Sequence, residues 1–390
     1  MRIATSIGLT ALLLAALSPA ASRAEMASLD DMLAPIREEF ALPALFAAVT
    51  KDGEIVAAGA VGERALGSGA AVTIEDRIHI GSDGKAITAT VAGSLVDDGR
   101  LRWDSTIGEV LGEKVPGLNP GLAAVTLGQL LSHSSGIPSE TPEILDIFFN
   151  VDAFDYSPTA LRLRGLDAWK DNAPVVPEGS PFQYSNFGYM TAGAMMEAVT
   201  GKPWEMLVRE RIYEPLGLAS AGFGPTATPG RLDAAVGHSV DADGVVEPRL
   251  WGTWADLPPI VAPAGTNHMN ILDFARWAGW NAGKGLRGPQ LVAPETLAYI
   301  HAEKLRTPRR PDPPPGTPAE GGYAFGWSIE QLDYADHELL THNGSNQFNL
   351  AKIVVDEQLD LAIVVATNIG GPSAHGAVEK AVAVLYKRFR

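Results

Sequence analysis

The chain has 390 residues, with 30 Lys and Arg against 46 Asp and Glu, a net charge of −16 and no cysteine. Apolar residues at 46% and charged residues at 19% make a globular composition, long enough for one large domain or two lobes. The acidic balance argues against nucleic acid or an anionic membrane as the main partner, and the missing cysteine excludes disulfides, thiolate metal sites, a cysteine nucleophile and a lipid-anchored cysteine. Residues 1–24 read as a secretory signal. Arg2 gives the positive start, Ile3 to Leu17 is mostly apolar, and Ser22 and Ala24 are the small residues of a cleavage site before Glu25. The expectation is an exported protein of the bacterial periplasm or medium, with no membrane span once the signal is removed.

Ser28, Asp31 and the apolar positions Met32, Leu33, Ile36 and Phe40 predict a capped amphipathic helix. Leu45–Thr50 and Glu54–Gly62, joined by Asp52-Gly53, predict a hairpin, and Arg77–Ile80 a short third strand. Ser82–Asp98 reads as a helix that Gly99 stops. Further helices are expected from Thr126 to Leu131, over Tyr189–Val199, Pro203–Ile212 and Ile271–Asn281. The segment 222–265 reads as long loops, and the Pro-rich 307–318 as a surface linker. Tyr323–Glu330, Glu338–Thr341, Phe348–Val355 and Leu361–Thr367 predict strands, and Gly376–Tyr386 a closing helix. Strands thus lie at both ends of the chain and helices between them. The fold class expected is α+β, an antiparallel sheet built from both chain ends (25–80 and 320–390) and flanked by helices, with an inserted, mainly helical lobe (81–319).

Gly81-Ser82-Asp83-Gly84-Lys85 has the form S-x-x-K. A serine hydroxyl needs a nearby base to become a nucleophile, and residues i and i+3 of a helix share a face, so the amine reaches the hydroxyl. The helix start adds free backbone N–H groups for a developing oxyanion. Read by itself, the pattern equally describes a helix-capping serine with an exposed lysine. Tyr184-Ser185-Asn186 is the only Y-x-N in the chain; its phenol is a proton relay and its carboxamide both donates and accepts. His342-Asn343-Gly344-Ser345 follows, at the end of a predicted strand, where a glycine lets an extended substrate approach the strand edge. His79-Ile80-Gly81 has the same H-x-G form and reads as a buried strand end.

In this order the three motifs resemble those of the penicillin-recognising serine hydrolases: class C β-lactamases, D-alanyl-D-alanine carboxypeptidases, and related esterases and D-aminopeptidases. Leu130–Gly136 and Val364–Asn368 fit as well, and the likeness covers roughly residues 28–388. It implies a β-lactamase/transpeptidase-like fold and hydrolysis of an amide or ester in a small molecule or short peptide, through an acyl-enzyme and without a cofactor or metal. Ser82 would be the acylated nucleophile. Lys85 and Tyr184 would share the roles of base and proton relay, and Asn186 would orient the substrate. His342, Asn343, Gly344 and Ser345 would line the substrate strand, with the N–H groups of Ser82 and Ser345 as the oxyanion hole. Histidine in place of the usual lysine, and Asn343 in place of threonine, remove a permanent cation opposite a penicillin carboxylate. That leaves carboxypeptidase, esterase and amidase activities open beside β-lactamase activity. A penicillin-binding or sensor-like protein that acylates without turnover is the alternative from a different class.

The remaining candidates have plain readings. Asp83 is expected to face solvent. His133 is expected to serve the scaffold, and His268 to cap or pack at a helix start. Trp251 and Trp254 either line the pocket or pack a long loop. Asn267 and Asn346 are left open. No H-E-x-x-H, G-x-S-x-G, P-loop or dinucleotide pattern is present. Oligomeric state is not legible.

Overall fold

The computed structural model describes residues 26–150, 157–250, 252, 255–313 and 317–390. The expected signal sequence, Trp251 and Trp254 lie outside the described residues. Among those residues the main sheet has nine strands. Their order across the sheet is Ala27–Ser28, Glu54–Gly62, Ala44–Lys51, Leu361–Thr367, Leu350–Asp356, Glu338–Ser345, Ser328–Gln331, Gly322–Tyr323 and Leu305–Arg306. Only the first pair is parallel. The sheet is therefore built from both chain ends, because residues 45–51 pair with Leu361–Thr367.

Local chemistry explains the elements. Asp52 and Gly53 both have positive φ, 53° and 81°, which matches the right-handed twist of the hairpin they close. Thr106 and Thr126 each form a reciprocal capping box, with Glu109 and Gln129 respectively. Ser185 caps the helix Asn186–Thr200 by accepting the N–H of Gly188, and Gly201 ends it in the left-handed region.

Two cores use the two faces of the sheet. One lies under the helices Asp30–Glu39 and Pro372–Phe389, with Leu33, Ile363, Val378 and Leu385 in it. The larger one fills the space between the sheet and the helical region, with Phe46, Ile87, Met190, Trp277 and Ile353 in it. The central strands are accordingly apolar on both faces.

The structure departs from expectation at several elements. Arg77–His79 pairs not with the main sheet but with Asn267–Asn270, which also pairs with Gly222–Phe223. Asn267–Asn270 itself, in NHMN, has no strand signature in sequence. Tyr323–Glu330 is two strands, because the chain turns back between Ala324 and Trp327. The segment 307–318 is not a free linker: Thr307 and Arg310 bond back to Gly321 and Ala319, so its two limbs run together beside the sheet edge. No described helix is long and apolar enough to cross a membrane.

Candidate active site

Gly81–Asp83 forms a 3-10 turn that leads into the helix Gly84–Asp97. The Ser82 side chain caps neither element. The capping reading of this serine therefore fails, and its oxygen is left for Lys85, whose Nζ lies 2.9 Å away.

Lys85 is fully buried. Its Nζ has two further neighbours, Asn186 Oδ1 at 2.8 Å and the Ala264 carbonyl at 2.6 Å, and both can only accept. Burial drives its pKa well below the usual lysine value, against an opposing pull from Asp83 and Glu140. A neutral amine has two hydrogens and one lone pair. With both hydrogens on Asn186 and Ala264, the lone pair is left facing the Ser82 hydroxyl.

Tyr184 is half-buried, its ring centre 4.7 Å from Lys85 Nζ and its hydroxyl hydrogen-bonded to Ser82. Loss of water around the hydroxyl raises its pKa far above the ordinary tyrosine value, so the phenol stays protonated. His133 seats this residue. The N–H of Ser185 donates to His133 Nδ1 at 3.0 Å, and the two rings lie 4.2 Å apart. His133 is buried with a positive φ of 59° and is held neutral by burial, so its role is scaffold, as its sequence context suggests.

The strand Glu338–Ser345 meets the Ser82 turn backbone to backbone. A Cβ on Gly81 would lie 2.3 Å from Ser345 N, and one on Gly344 would lie 1.8 Å from the Ile80 carbonyl oxygen. Gly81 also has a φ of 51°. Glycine is required at both positions, and this brings the N–H groups of Ser82 and Ser345 to neighbouring places.

His342 is buried and has no nitrogen free for a substrate. Nε2 lies 3.2 Å from the Tyr323 hydroxyl, and Nδ1 lies 3.0 Å from the Asn343 carbonyl. Burial, helped by Lys85, pushes its pKa down to about 3. Asn343 is partly exposed and Ser345 exposed, the Ser345 hydroxyl donating to the Asn349 carbonyl at 2.8 Å.

Asp83 corrects the sequence reading. It is fully buried rather than solvent-facing, and neither carboxyl oxygen has a hydrogen-bond partner among the described residues. Oδ1 lies 3.6 Å from His342 Nδ1. Burial raises its pKa well above the usual carboxylate value, against the nearby Lys352 and Lys85. Of the two readings of His268, packing holds and capping does not: it is a buried strand residue bonded to the Gly224 carbonyl, while Asn270 caps the following helix. Asn267 is buried, donates to the Tyr213 hydroxyl and packs against Gly84 behind the Ser82 turn.

A cavity of about 330 Å³ opens beside these groups, with Phe182, Tyr184, Tyr323, His342, Asn343 and Arg310 in its wall. Arg310 comes from the Pro-rich limb that reads as a linker in sequence. One contributor carries no signal in sequence: Ala264 acts through its carbonyl alone. His133 is singled out in sequence, but its contact with Tyr184 comes only through the fold.

The family model "Beta-lactamase" matches residues 29–387. Penicillin-binding protein 4 of Amycolatopsis lactamdurans is 30% identical over 68% of this chain and 65% of its own length. An unguisins hydrolase of Aspergillus campestris is 27% identical over 76% of this chain and 53% of its own. The chain thus spans less than two thirds of either relative. Among solved structures, an octameric penicillin-binding protein homologue from Pyrococcus abyssi superposes with a TM-score of 0.72 at 24% identity, covering 91% of this chain and 76% of that one. A D-amino acid amidase from Ochrobactrum anthropi SV3 gives 0.71 at 19% identity, covering 92% and 98%. At these identities the likeness is one of fold, and the family match over nearly the whole described chain carries the assignment. The chain belongs to the Beta-lactamase family, within the penicillin-recognising serine hydrolases.

Proposed function

We propose that this protein hydrolyses a small amide or ester through an acyl-enzyme on Ser82. The observation that carries the reading is the environment of Lys85: a buried amine 2.9 Å from Ser82 Oγ whose two other contacts only accept and whose pKa burial lowers, so that the neutral amine can turn its lone pair to Ser82. Lys85 takes the Ser82 proton as Oγ attacks the carbonyl carbon, and the oxyanion forms against the N–H groups of Ser82 and Ser345. The proton leaves by way of Tyr184 to the departing nitrogen or oxygen. Water then attacks the acyl group, the same groups move its proton, and Ser82 is restored. Asn186 holds Lys85 through its Oδ1, and its Nδ2 donates to Glu140 at 3.4 Å.

The neutral, fully engaged His342 favours substrates without a carboxylate at that place, and so esters and amides over penicillins. The test is steady-state turnover of p-nitrophenyl esters and D-amino-acid amides by wild type and Ser82→Ala. Turnover by the wild type and its loss in the variant, with an unchanged melting curve, is the expected result. Equal turnover in both proteins overturns the reading.

A further inference from the structure

The second H-x-G stretch, His79-Ile80-Gly81, ends the strand that leads into Ser82. His79 is buried, and its Nδ1 accepts the N–H of Gly81 at 3.1 Å. A ring nitrogen that accepts is bare, so the hydrogen of the neutral ring sits on Nε2. Nε2 lies 2.9 Å from Asp256 Oδ1, in a pair whose side chains are 1% and 2% exposed. The same Oδ1 accepts from Asn346 Nδ2 at 2.9 Å. Asn346 follows Ser345 directly, and its own Oδ1 accepts from the Phe348 N–H and Asn349 Nδ2. One carboxylate oxygen thus bonds to the segment after Ser345 and lies in close contact, without hydrogen-bond geometry, with the segment before Ser82.

These are the two segments whose backbones touch at Gly81 and Ser345. A buried carboxylate is costly and persists where its bonds are needed or where it fixes a geometry. The void beside His79 and Asn346 is only about 10 Å³, room for about one water, so the cluster is no ligand site. Asp256 comes from the long loop region, remote in sequence from both segments.

We propose that Asp256, through His79 and Asn346, is a positioning residue that sets the spacing of the Ser82 and Ser345 N–H groups, the oxyanion hole of the hydrolysis proposed above. The inference rests on that reading. An oxyanion hole acts on the tetrahedral state and little on the bound substrate. Loosening it therefore lowers kcat and leaves KM nearly alone.

The experiment uses Asp256→Asn, Asp256→Ala, His79→Asn, His79→Gln and His79→Ala with a p-nitrophenyl ester. It also uses a boronic acid, which becomes tetrahedral on Ser82. Asp256→Asn keeps the shape of the side chain and covers the case in which the alanine variant fails to fold. His79→Asn places an amide oxygen where Nδ1 accepts from Gly81, whereas His79→Gln reaches the Nε2 place instead. The expected result is a fall in kcat on the order of 10- to 100-fold in Asp256→Ala and His79→Ala. KM should stay within about threefold, boronate affinity should fall in step with kcat, and His79→Asn, which keeps only the Gly81 contact, and His79→Gln, which keeps only the Asp256 contact, should each recover no more than part of the loss. Unchanged kcat in folded variants, boronate affinity that does not follow kcat, or a His79→Asn variant with wild-type kcat overturns the inference. Ser82→Ala, assayed alongside, reports separately on the parent reading.

Discussion

Asp83 Oδ1 lies 3.6 Å from His342 Nδ1, with both side chains out of solvent and neither carboxyl oxygen bonded among the described residues. The residue next to the nucleophile is therefore a buried acid. Burial raises its pKa, which favours the protonated form and so weakens its pull on the Lys85 proton. A raised carboxyl pKa means that folding favours the protonated form. The contribution to stability is full below the unfolded value, about 3.9, and is lost as pH rises through the folded value. Asp83→Asn mimics the protonated state and does not titrate. Its melting temperature relative to wild type should rise as the pH is raised, with kcat near neutral pH little changed. A difference in melting temperature that stays constant across the range would contradict a buried neutral acid.

Lys85 gives the opposite limb. Its pKa is lowered, so the neutral amine that accepts the Ser82 proton is present well below the usual lysine range. Activity should be lost as pH falls through that lowered value and should return above it. Lys85→Arg, permanently charged, should lose about 10²- to 10⁴-fold in kcat at every pH. A pH–rate profile rising only near the ordinary lysine value, about 10.4, would place the base elsewhere.

His342 is held neutral, with its pKa near 3, chiefly by burial. Binding of a penicillin should therefore show no strengthening as pH drops from about 8 to 5, the range in which an ordinary histidine gains its charge. Inhibition of ester hydrolysis by penicillin across that range measures this. Affinity that climbs on acidification would show a titrating imidazole in contact with the carboxylate.

Gly344→Ala would place a methyl group 1.8 Å from the Ile80 carbonyl oxygen, which is backbone and has no rotamer to yield. The strand must move off the Ser82 turn. The expected cost is on the order of 100-fold in kcat in a protein that still folds, read from steady-state kinetics with a melting curve as control.

Arg162 is fully buried between Glu197 and Glu205, and it ties the helix Pro158–Trp169 to the helix that begins at Asn186. Arg162→Ala leaves Glu197 uncompensated and should destabilise the protein by about 3–5 kcal/mol in denaturant unfolding. A loss under about 1 kcal/mol would mean that the pair is solvated in the folded protein.

The sheet was legible because its strands carry period-two or continuous apolar patterns, and the hairpin because Asp52-Gly53 suits only one turn type. The elements that escaped are short and polar: Asn267–Asn270 is held by pairing with Arg77–His79, not by its own composition. Ser82, Lys85, Tyr184 and Asn186 were legible from motif order, and the fold brings all four together. Burial was not legible. Asp83 reads as a solvent-facing charge because one residue in a turn gives no periodicity, and only the overlying Gly344 strand decides where it points. His342 was found in sequence, but its bond to Tyr323 depends on a partner two strands away in the sheet.

The central claim is covalent attachment to Ser82 with Lys85 as base. Its most direct test is the mass of the protein quenched in acid during ester hydrolysis, followed by peptide mapping. The expected result is an acyl adduct on the peptide that contains Ser82, absent from Ser82→Ala and scarcely formed by Lys85→Arg. Turnover with no adduct, or an adduct on another residue, would contradict the account.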